Sequence, residues 1–184
     1  VLLVSALFNF AFNGMNSTET PFLIQKFDIQ PWQIGLLTML VGISIALVQA
    51  LLVQRLSQRL GEAAVAAFCL LLLVAGALAM CYNPVFALIY PIAVLRSSAS
   101  GFIFPTLGTL SARRVSHQQQ GVLMGVTTSI NGLMGIVSPI LAGLLYDHLS
   151  PAAPYWMAAG FFLGAALLLR GYKPPAPVLE PVAS

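Results

Sequence analysis

Residues 62–81 read Glu-Ala-Ala-Val-Ala-Ala-Phe-Cys-Leu-Leu-Leu-Leu-Val-Ala-Gly-Ala-Leu-Ala-Met-Cys, with no charge after Glu62 and no proline. As a helix at ~1.5 Å per residue this run covers about 30 Å, the thickness of a bilayer's hydrocarbon core. It is apolar on every side, so a helix here must be enclosed by protein or lipid. Working outward, similar stretches occupy 1–24 and 33–53 on one side, and 84–111, 121–146 and 155–170 on the other. The chain is 59% hydrophobic and 7% charged, with a mean hydropathy of +0.91. A water-soluble domain carries about 25% charged residues and could not hide this much apolar surface. The fold class expected is all-α: a polytopic membrane protein with six transmembrane helices in one domain, 1–170. The remainder, 171–184, holds Pro174, Pro175, Pro177 and Pro181 and is expected to be a disordered cytoplasmic tail.

Val1 already lies inside an apolar run, so residues before it are expected. The run 1–12 has neither a basic leading region nor a small-residue cleavage site, and does not read as a signal peptide. Cys69 and Cys81 fall in one helix about 18 Å apart by rise, too far for a disulfide.

The basic residues orient the spans. Arg55 and Arg59, Arg113 and Arg114, and Arg170 and Lys173 follow the second, fourth and sixth spans and share one side, whereas the other side holds only Lys26. By the positive-inside rule both chain ends are cytoplasmic, and the protein is a multi-pass component of the cell's inner membrane. Trp32, Tyr82, Tyr155 and Trp156 gather at the opposite interface, where amphipathic rings belong. The net charge of +3 comes from membrane-flanking residues and gives no case for nucleic acid.

Inside the spans, polar residues are concentrated. Ser5, Asn9, Asn13, Asn16, Glu19 and Thr20 fall within about 120° of one face of the first helix. Lipid offers no hydrogen-bond partner, so this stripe faces protein or water. Helix-to-helix hydrogen bonding would account for part of it; three asparagines and an acid favour the wall of a translocation cavity. Arg96 sits near the middle of the fourth span, where burying its charge costs at least ~2.5–3.5 kcal/mol. It therefore faces a cavity or a carboxylate, as a structural ion pair or as a charge linked to substrate or coupling. Ser100, Phe104 and Leu107 share its face, and Ser97, Ser98, Ala99 and Gly101 permit a close neighbouring backbone. Glu19, the only acid well within a span, lies toward the external end, open to a gating, ion-pair or proton-coupling role. Counted from the span ends, it and Arg96 are offset by roughly 9 Å, which calls for an extended arginine or a bridging water.

In the fifth span, Gly121, Gly125, Gly132, Pro139 and Gly143 form one stripe, read as a packing surface for another helix. Gln120, Thr127, Asn131 and Ser138 form a second stripe, a weaker cavity candidate. Gly160 and Gly164 make a lone GxxxG in the sixth span. No nucleophile–base or metal-ligand set appears, and His117 and His148 fall on opposite sides of the membrane. Asp147 and His148 read as a solvated cap. No phosphate-binding glycine loop is present, so neither an enzyme nor an ATP-driven pump is indicated and no cofactor is called for.

Three stretches resemble the C-terminal half of a major facilitator superfamily transporter, its spans seven to twelve. Gln54-Arg55-Leu56-Ser57-Gln58-Arg59-Leu60-Gly61-Glu62 is similar to the superfamily's cytoplasmic loop motif, with Gln54 in place of glycine and Gln58 in place of the acid. Gly101-Phe102-Ile103-Phe104-Pro105, followed by Gln120-Gly121-x-x-x-Gly125, resembles the tenth-to-eleventh-span passage of drug–proton antiporters such as tetracycline exporters. Gly135-x-x-Ser138-Pro139-x-x-x-Gly143-x-x-Tyr146-Asp147 looks like the family's eleventh span, with Ser138 for glycine.

The resemblance implies two inverted three-helix repeats, half of a twelve-helix transporter, with the first helix of each repeat lining a central cavity. It implies a missing N-terminal six-helix half and alternating access, with export of a small amphipathic compound in exchange for protons. Uptake of a metabolite on the same scaffold, or a six-helix scaffold without transport, are the alternatives. The cavity residues expected are Asn9, Asn13, Asn16, Glu19, Arg96, Ser100, Thr127 and Asn131.

Overall fold

The computed structural model describes residues 1–53, 61–112 and 117–171. Among them are six long helices and no strand: α1 (Leu2–Phe27), α2 (Pro31–Leu51), α3 (Glu62–Tyr82), α4 (Ile89–Ala112), α5 (Gln120–His148) and α6 (Ala153–Arg170). The motif residues 54–60, the arginines at 113 and 114 and the tail from 172 lie outside the described residues.

Local chemistry sets the helix ends. Asp28, in the left-handed region at φ 51°, closes α1 by donating its N–H to the Ile24 carbonyl. Two residues later the backbone N–H of Gln30 donates to Gln33 Oε1 at 2.8 Å, and Pro31 occupies the first turn of α2. Before α4, the Asn83 side chain brackets Val85, donating to its carbonyl at 2.8 Å and accepting its N–H at 2.9 Å. That loop delays the helix: a single 3-10 turn, Phe86–Leu88, leads into α4, so the span starts later than the expected 84.

Five of the helices, α2 to α6, are long and apolar enough to cross a membrane. The first is not in that group, because its polar stripe lowers its hydropathy. At ~1.5 Å per residue its 26 residues still reach about 39 Å.

The packing has an internal symmetry. The close pairs are α3–α6, α1–α5, α3–α4, α1–α6 and α2–α4, with a lighter contact between α5 and α6. Exchange α1 with α4, α2 with α5 and α3 with α6, and the five main pairs are returned unchanged. Two three-helix units related this way are inverted with respect to each other, since an odd number of spans reverses direction.

Close approaches of small residues make these contacts. A Cβ on Gly14 of α1 would fall 2.5 Å from Ser138 Oγ of α5, and that hydroxyl donates to the Phe10 carbonyl. In the other unit, Gly101 of α4 lies against the Ile45 backbone of α2, and the hydroxyls of Ser44 and Ser97 meet at 2.5 Å. The core between them holds Phe8, Met15, Leu70, Leu73, Met80, Ile103 and Phe162.

Three sequence expectations change here. The glycine stripe of α5 is not packed: a Cβ on Gly121, Gly125, Gly132 or Gly143 meets nothing within 4 Å. Buried Ser138 and Ala142 carry the α5 contact instead, which also removes Ser138 from the cavity candidates. Gly160 and Gly164 are likewise open. Tyr155 is not an interface ring. It is fully buried, with its ring 4.7 Å from that of Phe22, while Trp32, Tyr82 and Trp156 remain exposed.

The helices α2 and α5 stand apart from the rest, with only 17% and 11% of their most apolar windows buried against 56% for α3. The Gly14–Ser138 contact can be tested directly. Gly14→Val should destabilise by about 1–3 kcal/mol through overpacking, whereas Gly164→Ala should leave the thermal midpoint of the purified protein unchanged. Equal midpoints for the two variants would contradict the close approach.

Candidate substrate cavity

The backbones of α1 and α4 are not close-packed neighbours. Side chains bridge the space between them. At one level Arg96 forks onto Glu19, Nη1 donating to Oε1 at 3.0 Å and Nη2 to Oε2 at 2.8 Å. The exposure is 7% for the arginine side chain and 17% for the carboxylate, so both charges sit largely out of bulk solvent. This contact replaces the expected offset. Counted from the helix ends, Glu19 lies eight residues before Phe27 and Arg96 ten after Phe86, depths of about 12 and 15 Å. The difference is within reach of an arginine, and no bridging water is required.

Gly76 of α3 makes room for the arginine stem. A Cβ there would fall 2.5 Å from Arg96 Cγ and 3.2 Å from Cδ. Sequence reading missed this glycine, because inside an unbroken apolar run it looks like any small residue. The guanidinium Nε is buried without a hydrogen-bond partner, so the two terminal nitrogens carry the recognised contact.

Around the ion pair lies a cavity of about 280 Å³ between α1, α2 and α4. Asn16, Glu19, Thr20, Arg96, Ser97 and Ser100 supply its polar lining, and Ile34, Leu37, Thr38 and Val41 of α2 form the facing wall. That wall carries little polar signal and was not anticipated from sequence. A second cavity of about 330 Å³ lies between α1, α4 and α5, lined by Ser5, Asn9, Gln120, Thr127, Thr128 and Asn131 together with Phe8, Phe104 and Met124.

The eight expected residues are therefore divided. Asn16, Glu19, Arg96 and Ser100 line the first chamber, and Asn9, Thr127 and Asn131 line the second. Asn13 lines neither; its amide donates to the Asn9 carbonyl at 2.8 Å, as the Asn9 amide does to Ser5 at 2.9 Å. One amide hydrogen of each is thus used within α1, a local role that a helical-wheel argument does not see. Ser100 likewise donates to the Ser97 carbonyl at 2.9 Å while its residue borders the chamber.

The chamber offers a fixed carboxylate and a planar guanidinium beside neutral hydroxyl and amide groups, set in an apolar wall. Such a surface suits a small molecule with charged or hydrogen-bonding groups on an apolar frame. Breaking a buried pair by removing one partner typically costs ~3–5 kcal/mol, because the other charge is stranded.

Comparison with known proteins agrees with this architecture. The family model described as Major Facilitator Superfamily matches residues 1–183. The crystal structure of the human organic anion transporter MFSD10 (TETRAN) superposes with a TM-score of 0.83 at 27% identity, covering 91% of this chain and 39% of that one. Human major facilitator superfamily domain-containing protein 10 is 28% identical over 178 residues, 97% of this chain and 39% of its own length. Tetracycline resistance protein, class G, of Vibrio anguillarum is 30% identical over 144 residues, 78% of this chain and 36% of its own length. The chain thus spans about two fifths of the length of these relatives.

The fit of Gly76 against Arg96 gives a double-mutant test. Gly76→Ala should destabilise the otherwise unchanged protein by about 1–3 kcal/mol. In an Arg96→Ala, Glu19→Gln background the same change should cost little, because the clashing stem is gone. Additive losses in thermal unfolding would contradict the contact.

Proposed function

The chain belongs to the major facilitator superfamily, and from that premise we propose that it forms the C-terminal six-helix half of a secondary active transporter that exports a small amphipathic compound in exchange for protons. Its work is transport rather than catalysis. The observation that carries this reading is the Glu19–Arg96 pair, a buried arginine on a half-buried carboxylate, on the first helices of the two repeats and bordering a cavity. Buried charges in a membrane domain are costly and are kept where a pathway uses them.

The missing six-helix half is supported by two facts. The chain matches 39% of the length of its relatives, and α2 and α5 present long, nearly uncovered faces. Alternating access then consists of this bundle rocking against the other around the chamber. Substrate class is supported by the names of relatives, an organic anion transporter and a tetracycline resistance protein. A guanidinium and a carboxylate side by side offer a site for each sign of charge on a small amphipathic molecule. Glu19 is the carboxylate of the chamber, and donors on a substrate would compete with Arg96 for its oxygens. Both ends of the chain face the cytoplasm, and the protein resides in the inner membrane, an orientation supported by the distribution of its basic residues.

The test is a transport assay in vesicles carrying the protein as encoded, normalised to membrane protein. Arg96→Lys keeps the charge but loses the fork, and should lower transport by about tenfold, equivalent to about 1.4 kcal/mol, with expression maintained. Glu19→Gln should abolish the component driven by a pH gradient. Full recovery of activity in the Arg96→Ala, Glu19→Gln double variant would refute a transport role for either charge.

Orientation has its own measurement. Cysteines at Gln30 and Gln119, both exposed, should differ in intact cells, the first reacting with an impermeant thiol reagent and the second shielded. The reverse pattern would invert the topology.

A further inference from the structure

Between the two chambers stand three phenylalanines. The Phe104 ring of α4 meets Phe12 edge-on at 5.3 Å and Phe8 edge-on at 5.0 Å, and Phe8 and Phe12 stack at 5.6 Å. Phe12 lines the chamber of the ion pair, while Phe8 and Phe104 line the other. The rings thus form a septum across the route from one chamber to the next. Its leaves differ: Phe8 is fully buried, whereas Phe104 is 45% exposed. Phe104 also sits where the helix ladder is weakened. Pro105 has no N–H to give the Gly101 carbonyl, and Gly108 follows one turn later with open space at its Cβ position.

The two chambers differ in chemistry. The first holds both a carboxylate and a guanidinium, whereas among the described residues no ionisable side chain lines the second. Its polar groups are the amides of Asn9, Gln120 and Asn131 and the hydroxyls of Ser5, Ser111, Thr127 and Thr128, set against aromatic rings. The Asn131 side-chain oxygen is buried there without a hydrogen-bond partner. An unmade bond at a buried acceptor is unfavourable, and a donor on a bound molecule would supply it once the amide turns.

We propose that Phe104 is a gate between the two chambers, and that the second chamber is a separate subsite for an uncharged, planar, hydrogen-bonding group such as an aromatic amide. The inference rests on the transport reading above for its purpose, since a gate needs a path. Its geometry is tested without turnover.

The experiment measures cysteine labelling in vesicles carrying the protein as encoded, with Cys69 and Cys81 replaced by alanine. Thr127→Cys reports on the second chamber and Asn16→Cys on the first. An impermeant thiol reagent applied from the Gln30 side should label Asn16→Cys readily and Thr127→Cys slowly. Adding Phe104→Ala should raise the second rate about tenfold or more, and Phe104→Trp, which refills the septum, should not. Gln119→Cys labelled from its own side serves as the folding control and should be constant. Benzamide should protect Thr127→Cys from a reagent applied on the Gln119 side, and benzoate should not. A Thr127→Cys rate indifferent to Phe104, or no labelling from either side, overturns the gate. Equal protection by benzamide and benzoate, or none by either, overturns the uncharged subsite. Because labelling needs no transport, a Glu19 or Arg96 result that defeats the transport reading leaves these outcomes readable on their own.

Discussion

A bidentate contact between Glu19 and Arg96 ties together two helices whose backbones do not pack closely, and whose other meeting point is the cluster of Phe8, Phe12 and Phe104. Each charge alone would be untenable at that depth, and together they are tolerable only with good geometry. The geometry in turn constrains the neighbourhood. α3 must offer a glycine at position 76 so that the arginine stem can pass. α2 is anchored against α4 at the Ser44–Ser97 contact, and its Ile34–Val41 stretch walls the cavity beside the pair. A pair of hydrophobic residues of similar volume could close the same gap at lower desolvation cost. Retaining the charges is therefore poorly explained by stability and better explained by use.

The pair lies on a pseudo-symmetric framework. Small-residue contacts with a hydroxyl link occur twice, Gly14 and Ser138 between α1 and α5, Gly101 with Ser44 and Ser97 between α4 and α2. Each draws one helix close against the first helix of the other repeat. The result is that α1 and α4 are flanked and held, yet spaced apart from each other. A cavity persists there because rigid backbone contacts lie on either side of it, and side chains alone reach across.

How much of this was legible in the sequence varies with the kind of signal. The membrane spans follow from apolar runs whose length the bilayer dictates, and the observed helices differ mainly at their ends, where Asn83 and Asp28 override hydropathy. The polar face of α1 was legible because helical periodicity is local. Which polar residues share a chamber was not, because that depends on the depth of each helix and on what stands between them. The expected offset between Glu19 and Arg96 shrank to about 3 Å once the true helix ends were counted, and Asn13 proved to be occupied within its own helix. Glycines were the weakest signal. A stripe on α5 suggested packing and is open, whereas the lone Gly76 is tightly fitted. Periodicity shows that a face is small but not what lies opposite it.

The two chambers are themselves counterparts. The first is bounded by the C-terminal part of α1, the N-terminal part of α4 and α2; the second by the N-terminal part of α1, the C-terminal part of α4 and α5. Exchanging the repeats turns one into the other, with Phe12 and Phe104 at the crossing point. An inverted repeat thus provides matching recesses at opposite depths, and the backbone gives no reason for them to differ. The difference is chemical: among the described residues, one recess holds an acid and a base, the other amides and hydroxyls. Because a charged group and a neutral one are recognised by different donors and acceptors, the two recesses offer different partners on either side of the aromatic crossing. Asymmetry of side chains on a symmetric scaffold gives the two recesses unlike chemistry, and α2 and α5, which wall them, are also the helices left most uncovered. Any second bundle docking on those faces would therefore complete both chambers with the same surface, so that movement at that interface bears on both recesses at once.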